Sequence, residues 1–441
     1  MTTTPATRRS FLTLALATPL AASALAACGS SGPGQASSGG ATMWILTGQP
    51  GEGIRTDAVD TFNEANGDQE ITLTAFQNDA YKAKIRTAIG ADQAPTILPT
   101  WGGGGLRDYV RNGKVEDLTP FFEENADLKD KLFPSAFAAA TVDGKIYAMP
   151  CEAVTPIVFY YNKKLFDQVG AQPPATWDDL MALVPVFKDA GIAPVSLGGQ
   201  SRWTNMMWLE YLYDRIGGAE LFQDIYDGEP DAWSRPESLD ALTKVQDLVR
   251  AGGFVDGFAS IAADSNADQA LLYTDKAAMM LHGAWTYGSM KADGGDFVTG
   301  GHLGYMNFPT VTGGKGDPAA TVGNPSGYYA VSATATDEAK AAAKAFLAEG
   351  LVTDATTDAW IAAGSVPIVV GSDSRFGDSE DADWLQFVYD LASGAPTFQQ
   401  SWDQALSPTA ADALLENIEK LFTLSTTPQQ FADAMNATTG S

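Results

Sequence analysis

Apolar positions follow two different rhythms along this chain. Residues 42–47 (TMWILT) form a β-prone apolar run, and residues 70–76 place Ile71, Leu73 and Ala75 at every second position, so both segments read as strands. Between them, Ile54, Ala58, Phe62 and Ala65 share one helical face. Residues 79–91 read as a second helix with Ile85, Ala88 and Ile89 inward, and residues 95–100 as a short third strand. Strands alternating with helices predict a parallel or mixed α/β sheet. Ligands in such sheets bind at the carboxyl ends of strands. That rule draws attention to the loops 48–53, 77–79 and 101–105.

The same two rhythms continue. Residues 157–161 (IVFYY), 277–281 and 328–332 read as strands. Thr176 stands where an N-cap is needed, with an acidic residue three positions on. Ala339, Ala342, Ala343, Phe346 and Leu347 form a helix face that stops at Gly350. Leu414, Leu415, Ile418, Leu421 and Phe422 form another, and the last helix begins with Thr427 as N-cap, Pro428 after it and Gln430 at the third position. No repeat of 20–50 residues is present.

The N-terminus follows neither rhythm. Arg8 and Arg9 precede an apolar run from Phe11 to Ala27 that is too short and too rich in small residues for a membrane span. The string from Thr7 to Leu12 resembles a twin-arginine export signal, with a general secretory signal as the alternative. Leu25-Ala26-Ala27-Cys28 resembles a lipobox, so residues 1–27 read as signal peptide, Cys28 as a lipidated first residue and residues 28–40 as a flexible tether. This places the expected mature protein on the extracytoplasmic face of a bacterial cell membrane.

Composition narrows the partners. Lys and Arg number 27 and Asp and Glu 54, a net charge of −27, which excludes a nucleic-acid partner because phosphate binding needs a basic face. Two Cys and two His supply neither a zinc site nor a disulfide framework. No nucleophile elbow, no H-E-x-x-H and no phosphate-binding glycine motif occurs, and the run Gly102–Gly105 lacks a following Lys. That run reads either as a tight turn into a helix or as a ligand-facing loop. Cys151, left alone in an oxidising compartment, reads as a small buried hydrophobe. No metal and no cofactor is expected.

Several motifs stand in order. Residues 143–150 (DGKIYAMP), 160–166 (YYNKKLF), 174–180 (PATWDDL), 191–195 (GIAPV) and 276–285 (KAAMMLHGAW) together resemble the extracellular solute-binding proteins, family 1, of carbohydrate ABC importers. The resemblance runs from about Met43 to the C-terminus. It implies an α/β, two-lobed type II periplasmic-binding-protein fold with a hinge of crossing strands. The expected division is residues 41–152 plus 321–354 in the first lobe and 153–320 plus 355–441 in the second. Crossings are expected near residues 151–156, 318–321 and 353–357. The implied function is a non-enzymatic, monomeric receptor that holds a neutral sugar or short oligosaccharide and delivers it to ABC permease subunits served by a separate ATPase. The alternatives are an exported glycoside hydrolase and a receptor for a peptide or polyamine.

Within that frame the candidate contacts are aromatic and polar residues at strand ends. Trp285 follows a strand through a Gly-Ala turn, where the resemblance implies a stacking aromatic, and an indole suits the apolar face of a pyranose. Trp203 beside Arg202 lies in a loop, where a ring stacks and a guanidinium donates to hydroxyls. Trp101, and Trp402 with Asp403, are further candidates, while Trp44 reads as core. Asn78 and Asp79 follow the second strand, with N-capping as the rival role for Asp79. Gln49, Glu152 and Asn324 complete the set.

Overall fold

The computed structural model of the protein describes residues 40–439. The expected signal peptide, Cys28 and all of the expected tether except Gly40 lie outside the described residues. Thirteen strands are present among these: β1 (Ala41–Leu46), β2 (Ile71–Phe76), β3 (Ile97–Thr100), β4 (Thr141–Val142), β5 (Lys145–Ile146), β6 (Met149–Pro150), β7 (Thr155–Asn162), β8 (Ala193–Ser196), β9 (Ala277–Gly283), β10 (Leu303–Met306), β11 (Thr321–Asn324), β12 (Tyr328–Val331) and β13 (Phe398–Gln400). They build two mixed sheets and a small hairpin, β4–β5. The first sheet has the order β2-β1-β3-β12-β6; the second runs β13-β11-β7-β9-β8, with β10 also on β7. With helices packed on both, this is the two-lobed α/β architecture expected from the sequence.

Strand alternation explains why each sheet is covered on both faces. In β1, Met43 and Ile45 enter one apolar core and Trp44 another, so Trp44 is core as expected. In β7, Ile157 and Phe159 face the helices of the second lobe while Val158 and Tyr160 face the opposite way. The local signals at helix starts also hold. Thr176 and Thr427 each close a capping box, with Asp179 and Gln430. The helix Asp337–Glu349 is capped by the Thr336 side chain and ends at Gly350.

Three chain crossings join the sheets, the third running from β12 in the first sheet to β13 in the second through a stretch that includes the expected 353–357. The chain leaves β6 in the first sheet and enters β7 in the second over residues 151–154, where a crossing was expected. It returns between Asn324 and Tyr328, a few residues past the expected 318–321. The reason is that β11 is held on the second sheet by β7 and β13. Buried Arg215 anchors the approach to β11, donating to the carbonyls of Asp317, Pro318 and Ala320.

The glycine run Gly102–Gly105 turns into the helix Gly103–Arg111 and meets the second lobe backbone to backbone. A Cβ on Gly104 would lie 1.7 Å from the Leu406 carbonyl oxygen, so only glycine permits this approach.

Candidate functional site

The carboxyl ends of β1, β2 and β3 face those of the second lobe's elements across a cleft. A cavity of about 290 Å³ lies there, near the small end of the range of about 300–1,000 Å³ for ligand pockets. The first lobe contributes Gln49, Arg55, Gln77, Asn78, Lys82 and Trp101, all in or just after the loops singled out from the sequence. The second contributes Trp203, Asp264, Gln269, His282, Trp285, Asp403 and Gln404. Glu152 and Asn324 come from the first two crossings, and Trp360 from the helix Asp354–Ala362.

Most of the charge in the cleft is already compensated. Arg55 donates from Nε to Glu152 Oε1 at 2.6 Å and from Nη2 to Oε2 at 2.9 Å, a forked pair. Burial opposes the Arg55 charge, but Glu152, with Tyr329 and Cys151 adding to it, outweighs burial and holds the guanidinium more firmly protonated than usual. Lys82 Nζ donates to Asp403 Oδ2 at 2.8 Å and sits 4.9 Å over the Trp101 ring. Asp264 remains without a cationic side chain. Its Oδ2 accepts the Asp79 N–H at 2.8 Å, and burial pushes its carboxyl above the usual range against that bond.

One helix carries three contacts across the cleft. In Asn78–Gly90, the Asp79 N–H meets Asp264, Lys82 meets Asp403 and Arg86 meets Asp412 at 2.7 Å. These positions share a helical face. The helix's own N-cap, Gln77, makes no side-chain capping bond, so the second lobe supplies the carboxylate at this helix start.

Three oxygens lining the cavity are buried with no hydrogen-bond partner among the described residues: Asn324 Oδ1, Asp403 Oδ1 and Gln404 Oε1. Buried acceptors left unpaired are costly, so this arrangement calls for a ligand that donates hydrogen bonds. Around them stand the indoles of Trp101, Trp203, Trp285 and Trp360.

Behind the site, Glu210 is fully buried on the helix Trp203–Gly217, and its Oε1 accepts the Trp402 N–H at 2.7 Å. Burial pushes its carboxyl up to about 8; the Trp402 N–H opposes the rise and Asp403 adds to it. The folded state therefore holds a proton that the unfolded chain releases near its ordinary value of 4.5. Stability from this group is full below pH 4.5 and is lost as pH rises through about 8. Glu210→Gln should remove that slope, so the melting temperature of the variant relative to the parent rises steadily from pH 5 to pH 8. A constant difference across that range would refute the assignment.

The structure brings most of the sequence candidates together. Trp285, Trp203, Trp101, Asn78, Gln49, Glu152, Asn324 and Asp403 all line the cavity. Asp79 sits at its edge. It is not the N-cap, which is Gln77; its Oδ1 accepts from Asn78 and from Trp203 Nε1 at 3.1 Å. Two candidates are corrected. Trp402 is fully buried in the second-lobe core, stacked on Phe222 at 4.8 Å, and only its neighbours reach the cleft. Arg202 precedes its helix with φ of 59° and turns outward to pair with Glu419 at 2.6 Å. Sequence reasoning missed Arg55, Lys82, Trp360, His282 and Gln404. For His282 a signal existed, since it lies three residues before Trp285 at the same strand end. Cys151 is buried as read, and burial pushes its thiol well above the ordinary range.

The cleft, its crossings and its aromatic lining define a two-lobed binding protein. The chain matches the family described as bacterial extracellular solute-binding protein over residues 47–355, and it belongs to that family. A probable sugar-binding periplasmic protein of Rhizobium meliloti (strain 1021) is 28% identical over 237 residues, 52% of this chain and 53% of that protein. A maltotriose-binding protein of Pyrococcus abyssi is 26% identical over 235 residues, 52% of this chain and 46% of that protein. The matches thus span about half the length of these curated relatives. A solved structure from work on xylan utilization by the thermophilic bacterium Caldanaerobius polysaccharolyticus aligns with a TM-score of 0.81 at 31% identity, covering 90% of this chain and 99% of that one. A chitin oligosaccharide binding protein aligns with a TM-score of 0.81 at 25% identity, covering 90% and 97%. Among the described residues no helix is long and apolar enough to cross a membrane, and no acidic, His or Cys cluster is placed to hold a metal ion.

Proposed function

We propose that this chain is the solute receptor of an ABC importer, that it captures a neutral sugar or short oligosaccharide in the cleft, and that it acts without breaking a bond. The observation that carries the reading is the pairing of indole faces with partnerless buried acceptors. Pyranoses offer both counterparts, an apolar C–H face for stacking and hydroxyl donors for Asn324, Asp403 and Gln404. A polyamine would also donate, but it calls for several carboxylates free of cations, and Glu152 and Asp403 are engaged by Arg55 and Lys82, which leaves Asp264 as the unpaired carboxylate of the cavity lining. The sugars for which these relatives are named support the same class.

Release would go to permease subunits whose ATPase is a separate chain, with the receptor monomeric and tethered by lipid on Cys28 after twin-arginine export. The support for the anchor is the lipobox-like Leu25–Cys28 before a Gly/Ser-rich stretch. Cell fractionation of a Cys28→Ser variant tests it, since a cleaved variant that stays with the membrane would refute the lipid.

The main test is a thermal-shift screen of neutral xylo-, cello-, malto- and chito-oligosaccharides beside spermidine and a tripeptide. A ligand at a hundredfold excess over Kd adds about 2.7 kcal/mol to stability. At least one neutral sugar should raise the melting temperature, remain intact on prolonged incubation, and lower the radius of gyration in solution scattering as the lobes close. A response confined to spermidine or the peptide overturns the sugar reading, and cleavage of the bound sugar overturns the receptor reading.

A further inference from the structure

Trp203 and Trp285, which the proposed function assigns to sugar stacking, stand 6.1 Å apart with their planes at 51°. They come from different elements, Trp203 from a helix start and Trp285 from the turn after β9. Backbone geometry alone does not fix their mutual angle. One ring touches both: the His282 imidazole lies 5.4 Å from Trp203 at 86° and 5.4 Å from Trp285 at 77°, edge-on to each indole.

His282 is itself held. It lies on β9 with 2% exposure. Its Nδ1 accepts the Gly283 N–H at 2.9 Å, so the neutral ring carries its proton on Nε2. Nε2 lies 3.4 Å from Asp268 Oδ2 without hydrogen-bond geometry, and neither atom has a hydrogen-bond partner among the described residues, so the two are held together by charge and burial alone. Asp268 is fixed in turn: its Oδ1 accepts the Gln269 N–H at 2.9 Å, and its carbonyl accepts the Ser196 hydroxyl at 2.6 Å. A buried carboxylate thus lies against the imidazole, and the imidazole lies against two indoles.

We infer that His282 is a positioning residue for sugar recognition, setting the angle between Trp203 and Trp285, and that Asp268 sets His282. This rests on the reading of the two indoles as the sugar platform. The effect is preorganisation, in which a ligand meets a platform already at its bound angle and loses less freedom on binding.

The test reads the indole pair and the sugar separately. Far-ultraviolet circular dichroism of the parent minus Trp203→Phe isolates the coupled signal of the two indoles, with or without ligand. His282→Ala should diminish that signal and weaken binding of the sugar found in the screen roughly ten- to a hundredfold, the scale of losing a supporting partner. His282→Phe keeps an aromatic edge and should restore most of the signal and most of the affinity. Asp268→Asn should fall between them. If no sugar binds the parent, the proposed function fails, while the dichroic signal still decides the bracing role. An unchanged signal in His282→Ala overturns the inference, whether affinity and melting temperature fall or not. A lost signal that His282→Phe does not restore overturns it as well.

Discussion

Replacing Trp285 by alanine is expected to weaken sugar binding by about 2–4 kcal/mol, the loss seen when a central aromatic anchor is truncated. The indole is only partly buried, although it packs against the second-lobe core. It folds back over the end of β9 because Gly283 has no side chain: a Cβ there would lie 1.9 Å from the indole ring. The exposed face is therefore presented to the cavity, and its truncation removes a stacking surface rather than a core anchor. Calorimetric titration should show the affinity loss, with the melting temperature of the empty protein falling far less than for a core tryptophan such as Trp402. Trp285→Phe should recover part of the binding, since a smaller ring still stacks. Unchanged affinity in Trp285→Ala would take this residue out of the site, and a collapse of the empty protein would assign it to the core.

Glu152→Gln is expected to destabilise the fold itself, by about 3–5 kcal/mol, because it leaves a largely buried guanidinium without its counter-charge. Arg55 and Glu152 have side-chain exposures of 12% and 21%, and their forked pair ties the helix Gly51–Ala65 to the crossing between β6 and β7. Tyr329 and Trp360 close around it, at 3.4 Å from Glu152 Oε1 and 5.6 Å from the guanidinium carbon. Removing both charges together, as Arg55→Met with Glu152→Gln, should cost less than Glu152→Gln alone. Denaturant unfolding of the two single variants and the double variant measures this coupling. Strict additivity of the two single losses would show that the pair does not act as a unit.

How far the sequence reveals this molecule depends on the range of the interaction that fixes each residue. Capping boxes at Thr176 and Thr427 were legible because all their partners lie within four residues. Strands were legible because β1 and β2 alternate or cluster apolar residues over a few positions. The cleft candidates were legible to the extent that strand ends in an α/β sheet converge. Trp203 and Trp402, by contrast, look alike in sequence, each a tryptophan at a helix start after a polar residue. Only the aromatic packing of Phe222, Tyr213 and Trp233 around Trp402 tells them apart. Arg55 and Lys82 read as the solvated faces of amphipathic helices. Their role comes from Glu152 and Asp403, 97 and 321 residues away, and no local pattern carries that information.

Cys151 lies on the outward crossing, 4% exposed, and its thiol donates to the Gly327 carbonyl of the returning crossing at 3.4 Å. Two of the three connections between the lobes thus meet at a single sulfur. The chain has only one other cysteine, Cys28, so a soluble form beginning after that residue carries a lone thiol. A disulfide reagent must wait until the two connections part before it can react. Its labelling rate is then a stopwatch on their separation, set by the free energy of that local opening and needing no attached dye. A solute that holds the lobes shut should slow the stopwatch in proportion to the open population it removes.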